Sequence, residues 1–430
     1  MVWIFSDSIT QRLSYTLDFI FAARGVAYTL TNDPELFIRE LERGVGFVYS
    51  DYPFAMEYPT ISPAELLFEE EIFDQKISTG SWQGCECLLF TRKTDPVASV
   101  FYVLSRYEEY LEFTPDEHGR FKAKDSVQAK NGWLQSPICD YWSEAILKWL
   151  EELYHCKLNP VNSSELLVTF DIDNTYAFRY KNPVQLLGGR IKDFLTGNHQ
   201  RMDLRRNVLN DEEKDPFDTF DTIIRLSEST IPVRVFWLLG DLHKYDRNVP
   251  WTQPFHQRLI RNVNQVVPVG IHPSYYSNTQ IRKISEERGR LEFILNQPVY
   301  DSRQHFLKIE FPGTFRRLAS LGMKRDYSIG FADDTGFRLG TARPVAFYDL
   351  EKDEVTDLTL IPFVYMDGTL NQYLGKTPDE AKRSIENLVG EVKRYGGIFC
   401  CIWHNETIGE TGIWKGWKEV LDYTISVFNS

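Results

Sequence analysis

Residues 166–175 read Leu166-Leu-Val-Thr-Phe-Asp-Ile-Asp-Asn-Thr175, and the fold turns on how that stretch is taken. Leu166, Leu167, Val168, Thr169 and Phe170 are apolar or β-branched, which suits a strand buried on both faces of a parallel sheet. Asp171 and Asp173 follow at its carboxyl end. Open and closed α/β sheets carry their chemistry at that end of the strands. Residues i and i+2 of an extended segment point the same way, so both carboxylates are able to face one ion or one substrate atom. The plainer alternative is an Asx-rich turn after a strand.

Working outward, the strand-then-helix alternation repeats downstream. Strand patterns fall at residues 233–239, 266–272, 299–305, 327–331, 358–364 and 398–404. Helical stretches fall at 217–228, 279–296, 314–321 and 377–395. The last opens on Thr377-Pro-Asp-Glu380, a capping box with proline at the first helical position. Such alternation predicts an α/β fold built on a largely parallel sheet. Residues 193–215 are polar and charged and read as an insertion or lid after the first strand.

Upstream, residues 1–160 read as a smaller α/β unit of their own. Residues 47–49 and 87–90 have strand character, Asp95-Pro96 opens a helix, and a second amphipathic helix begins near Pro137. Residues 113–120 are polar and turn-rich, with His118 expected in solvent. Residues 158–164 read as the link to a second unit spanning 161–430. Nothing in the first unit groups residues in a catalytic pattern.

The totals narrow the function. A net charge of -13 over 430 residues, with no dense Lys/Arg block, argues against a nucleic-acid partner. No apolar run has membrane-spanning length, and no signal peptide is evident, so the expected location is cytoplasmic. The 6 cysteines have neither disulfide-framework nor zinc-cluster spacing and are expected to be reduced thiols. The sequence leaves the oligomeric state open.

Of the 8 histidines, three end predicted strands: His272 in Val-Gly-Ile-His272-Pro-Ser-Tyr, His305 in Asp301-Ser-Arg303-Gln-His305, and His404 in Trp403-His404-Asn-Glu406. Two imidazoles and a carboxylate with an open position are the usual form of catalytic zinc, with a further Asp and His left over as base and acid.

With these motifs the chain resembles the polysaccharide deacetylases of the NodB-homology carbohydrate esterases, which fold as a distorted (β/α) barrel. Thr169-Phe-Asp-Ile-Asp173 is similar to that family's first motif, and the resemblance makes Asp171 the general base and Asp173 a metal ligand. The second motif is His-Ser/Thr-x-x-His; His272 matches its first histidine, whereas the second position holds Tyr276. We take His305 as the replacement ligand, which the family pattern itself does not imply. Arg303 corresponds to the arginine that pairs with the catalytic Asp, and His404 to the general acid. The resemblance covers residues 166–430. It implies a divalent metal, expected to be zinc, and deacetylation of a carbohydrate or small-amide substrate.

Two rivals stand beside it. Asp171, Asp173 and Thr175 also resemble the first motif of haloacid-dehalogenase-like, Mg²⁺-dependent phosphatases, with Asp333-Asp334 as a late acidic motif. Alternatively, the lost second histidine points to a non-catalytic carbohydrate-binding relative, with Tyr275, Tyr276, Trp403, Trp414 and Trp417 stacking on sugars. Whether His305 lies at ligand distance from His272 and Asp173 separates these readings.

Overall fold

The computed structural model describes residues 1–181, 183–229 and 231–430. Its strands in chain order are β1 (Val2–Phe5), β2 (Tyr28–Thr31), β3 (Val45–Val48), β4 (Ile77–Trp82), β5 (Cys85–Phe90), β6 (Lys93–Thr94), β7 (Ser164–Ile172), β8 (Val233–Trp237), β9 (Val269–Ile271), β10 (Asp301–Ser302), β11 (Arg325–Asp326), β12 (Val345–Asp349), β13 (Glu354–Leu360), β14 (Tyr365–Met366) and β15 (Gly397–His404). They form a parallel three-stranded sheet β2-β1-β3, an antiparallel sheet β4-β5-β6, and one nine-stranded sheet ordered β12-β13-β11-β10-β9-β8-β7-β15-β14.

The large sheet is parallel except where β12 runs against β13. Its centre is β7 with β15, paired over eight residues from Gly397↔Ser164 to His404↔Asp171. Val168, Phe170, Ile172, Phe399, Cys401 and Trp403 are fully shielded from solvent, as the unbroken apolar run of a two-sided strand requires.

The sheet has to curl. β13 and β14 lie seven positions apart in strand order, which would separate them by roughly 34 Å in a flat sheet at about 4.8 Å per strand. Only residues 361–364 join them, and five Cα steps reach at most about 18 Å. Within that link the Phe363 N–H donates to the Ile329 carbonyl (3.0 Å) and the Val364 N–H to the Cys400 carbonyl (2.8 Å). The two end strands, β12 and β14, are not paired with each other.

Several local expectations are met by the caps. Asp95 accepts from the Val97 and Ala98 amides at the head of Pro96–Leu104, and Thr377 and Glu380 form a reciprocal capping box ahead of Pro378–Tyr395. The amphipathic helix near Pro137 is Ile138–Leu153. Others are corrected. The stretch 193–215, read as an insertion or lid, is largely helical: Pro183–Leu195 and His199–Leu209 are helices, joined by Asp193 to Arg201 (3.2 Å) and Arg205 (2.5 Å). The predicted strand 327–331 is shifted, with β11 ending at Asp326; that carboxylate accepts from Ser302 Oγ (2.7 Å) and the Ser328 amide (2.9 Å), which bends the chain out of the ladder.

One contiguous core runs from Val2 to Phe428 through both the small sheets and the large one. Buried charge joins the same parts. Glu109 bridges Arg106 (2.7 Å) and Arg338 (2.5 Å), and Asp140 bridges Arg24 (2.5 Å) and Arg343 (3.0 Å). All six cysteines are free thiols. No described helix is long and apolar enough to cross a membrane.

Candidate metal centre

Strand register builds the site. Ile172 pairs with Trp237, Trp237 with Ile271, and Ile271 with Ser302. The next residue on three of those strands is Asp173, His272 or Arg303, so all three emerge at one rim. His404 stands opposite Asp171 across β15 and β7.

Three ligand-type atoms meet at that rim. Asp173 Oδ1 lies 3.2 Å from His272 Nε2 and 3.2 Å from His305 Nδ1. The two imidazole nitrogens are 3.2 Å from each other. Among the described residues this trio is the group of acidic, His or Cys side chains suited to hold a metal ion. His305 therefore lies at ligand spacing from the other two. Tyr276, in the place of the second motif histidine, is about half exposed and stacks near His243 instead.

The donor chemistry fits a cation. His272 Nδ1 gives its proton to the Arg303 carbonyl (2.6 Å), and His305 Nε2 gives its own to the Tyr245 carbonyl (3.1 Å). Each neutral ring then turns a bare lone pair toward Asp173. Asp173 Oδ1 is buried and has no hydrogen-bond partner. Three lone-pair atoms this close repel unless a proton or a metal ion lies among them. Without a metal, protons are drawn in: burial works against a charged His305, but Asp173 and Asp246 outweigh it and raise its pKa. Burial likewise opposes a charged Asp173, yet His305 and His272 hold its carboxyl well below the usual carboxylate range.

The turn carrying His305 is strained. Phe306 (φ 60°) and Leu307 (φ 51°) are both left-handed, a conformation costing about 1–2 kcal/mol per non-glycine residue.

Two further pairs flank the trio. Asp171, 2 % exposed, accepts from Arg303 Nη1 at 3.0 Å, and its Oδ2 is 3.9 Å from His272 Nε2. Arg303 is wholly buried; it also binds Thr169 Oγ1 (2.7 Å) and the Tyr327 carbonyl (3.0 Å), with its plane over Phe236. His404 Nδ1 donates to Asp367 Oδ1 (2.8 Å), and the His404 amide donates to Asp367 Oδ2 (2.8 Å). Its Nε2 points inward, 3.8 Å from Asp173 Oδ2. Burial disfavours the imidazolium, but Asp367, with Asp173 and Asp171, raises the pKa of His404 well above that of a free histidine.

Asp171, Asp173, His272, His305 and His404 line a cavity of about 150 Å³, together with Glu406, Trp414 and Arg120. Burial, opposed by His404 and reinforced by Asp173 and Asp367, pushes the Glu406 carboxyl up to about 7. A wider groove of about 1190 Å³, between the β4–β6 sheet and residues 107–131, shares no lining residue with it.

Sequence reasoning missed Asp367 and Arg120. Asp367 follows a short strand, β14, inside the pattern Tyr365-Met-Asp367, the same apolar-strand-then-acid signal that singled out Asp171. Arg120 gave no local signal. The expectation of a solvated His118 is also overturned: it is 9 % exposed and packs edge-on against Tyr245, Tyr275 and Phe306, because its loop folds back onto the turn after His305.

Of the residues of the rival readings, Asp171, Asp173 and Trp414 line this cavity and the others do not. Asp333 accepts from the Ala123 amide and Asp334 from the Thr335 amide, and neither lines the cavity. Thr175 binds Asn248 and His256. Of the aromatic residues, Trp403 and Trp417 are core, while Trp414 reaches the cavity.

Residues 2–155 match a family of unknown function (DUF7033). No curated protein matches the chain. Similar solved structures include a protein described as a polysaccharide deacetylase from Mycobacterium smegmatis, at 15% identity over 62% of this chain and 83% of that one, with a TM-score of 0.40. Another is described as a polysaccharide deacetylase involved in O-antigen biosynthesis in Bordetella bronchiseptica, at 14% identity, 61% and 82% coverage and a TM-score of 0.31. An allantoinase is similar at 10% identity, 61% and 84% coverage and a TM-score of 0.38. Likeness at this level says nothing of this chain's activity.

Proposed function

We propose that the chain is a metal-dependent amide hydrolase that removes an acetyl group from an N-acetylated sugar or polysaccharide. The observation that carries this reading is the trio of Asp173, His272 and His305 atoms, each 3.2 Å from the others, set between an Arg-held carboxylate and an Asp-held imidazole. The reading of the curled sheet as a distorted (β/α) barrel, and the division at about residue 160, belong to the same proposal; the short link between β13 and β14 supports the first.

Asp173, His272 and His305 would hold a divalent ion, with zinc suited to two imidazoles and a carboxylate. Such an ion, when bound, supplies Lewis acidity to the amide carbonyl and to the attacking water. Asp171 acts as general base. Arg303 pairs with its Oδ1, which leaves Oδ2 to take the proton of the water. His404 acts as general acid: Nδ1 is committed to Asp367, so the proton given to the leaving nitrogen comes from Nε2. Water and the amide are consumed, and acetate and a free amine are formed. Trp414 provides an apolar wall on which a sugar face would rest.

The experiment is acetate release from N-acetylated oligosaccharides by the metal-loaded protein. Wild type should release acetate and Asp171→Asn should not. An absence of release by metal-loaded wild type across chitin-type, peptidoglycan-type and small-amide substrates would overturn the reading.

A further inference from the structure

One side chain of the N-terminal region reaches the cavity. Arg120 Nε donates to Asp116 Oδ2 (2.7 Å), Nη1 to the Phe306 carbonyl (2.8 Å) and Nη2 to the Tyr373 hydroxyl (3.0 Å). Asp116 is itself fixed, accepting from the His118 and Arg120 amides, each at 2.8 Å. Arg120 is 5 % exposed, so the three bonds are made away from bulk water.

The partners give these bonds their meaning. Phe306 follows His305 directly and is left-handed, as is Leu307. Such residues stay in that conformation only where their surroundings hold them. The guanidinium holds the Phe306 carbonyl, and the aromatic rings of Tyr245, Tyr275 and His118 enclose its side chain. A change in the Phe306 backbone torsions would shift the turn that carries His305 and draw Nδ1 away from Asp173. Tyr373 ends the turn Thr369–Tyr373, which begins two residues after Asp367, the partner of His404. One guanidinium thus ties together the N-terminal loop, the backbone beside a metal-type ligand and the segment beside the His404 partner.

We propose that Arg120 is a positioning residue for His305, so that the N-terminal region completes the metal centre rather than standing apart from it. The inference rests on the metal reading of Asp173, His272 and His305. A planar fork with donors in fixed directions makes all three bonds at once, whereas a lysine ammonium does not reproduce that geometry. It also explains why His305, outside the ordinary motif spacing, is held at ligand distance: its position is set from across the molecule.

The test is a titration of the metal-free, full-length protein with Co²⁺, following the visible d–d absorption, for wild type, Arg120→Gln and Arg120→Lys. Circular dichroism and thermal unfolding serve as the check on folding. No sugar is present, so loss of a substrate contact at Arg120 cannot mimic the effect. The expected result is a Co²⁺ dissociation constant raised about 10- to 100-fold in Arg120→Gln, with altered d–d bands, and incomplete recovery in Arg120→Lys. If Arg120→Gln does not fold, Asp116→Asn takes its place and should weaken binding several-fold. A folded variant with wild-type affinity and spectrum overturns this inference alone. Wild type that binds neither cobalt nor zinc overturns the metal reading and this inference with it.

Discussion

His404 stands directly opposite Asp171 in the register of β15 on β7. Each is held from behind by an oppositely charged group on another strand end, Arg303 for Asp171 (3.0 Å) and Asp367 for His404 (2.8 Å). Adjacent strands therefore bring the proposed base and the proposed acid to the rim where Asp173 stands.

Removal of either group should be severe and should leave the metal in place. General acid–base groups contribute about 10²- to 10⁴-fold, so Asp171→Asn and His404→Ala should each lose at least about 100-fold in kcat. Metal content measured on the same preparations should match wild type. Loss of metal with loss of activity would reassign the residue as a ligand.

The pH profile should carry the signature of Asp367. Its charge, outweighing burial, raises the pKa of His404, so the imidazole stays protonated and able to donate until the pH climbs through that raised value. The alkaline limb of kcat should therefore fall late in wild type. In Asp367→Asn the limb should move to lower pH, because the main stabiliser of the imidazolium is gone. An unmoved limb would remove His404 as the acid.

Metal affinity should weaken as the solution is acidified. Asp173 and Asp246 raise the pKa of His305 in the metal-free protein, so a proton must leave before Nδ1 is free to bind an ion. Competition titrations between neutral pH and pH 5 should show the apparent dissociation constant rising as pH falls. A flat dependence would argue that His305 is not a ligand.

Stability should depend on the buried Arg106–Glu109–Arg338 group. Burial alone would raise the Glu109 carboxyl, but Arg338 and Arg106 hold it below the ordinary range. A depressed carboxylate contributes stability above its unfolded pKa and loses it as pH falls through the folded one. Glu109→Ala leaves the buried Arg338 guanidinium without its carboxylate and Arg106 with Glu108 alone, which should cost about 3–5 kcal/mol at neutral pH. Urea unfolding of the variant measures it, and a cost under about 1 kcal/mol would contradict the assigned role.

What the sequence shows and what it hides separate on physical grounds. β7, β15 and the helix Pro378–Tyr395 were legible because an unbroken apolar run or a capping box is a local signal. His272, His305 and His404 were legible as strand-end residues, since a strand end places its next side chain at the rim whatever lies around it. β10 and β11 are two residues each, too short for any periodicity, and were misplaced or blurred. β12 joins the sheet antiparallel through pairing with β13 and has no crossover helix to announce it. The role of Arg120 was invisible because two of its partners lie 186 and 253 residues away, and only the packed molecule brings them together. Tyr276 stands at the second histidine position of the motif, and His305, in the turn after β10, lies 3.2 Å from Asp173 instead.

Asp173, His272 and His305 are proposed to hold one divalent ion. Elemental analysis of wild type, His272→Ala and His305→Ala, purified without chelator, tests it most directly. Wild type should carry about one zinc-like ion per chain, lost in both variants. Metal retained in His305→Ala at the wild-type level, or magnesium binding indifferent to both histidines, would contradict it.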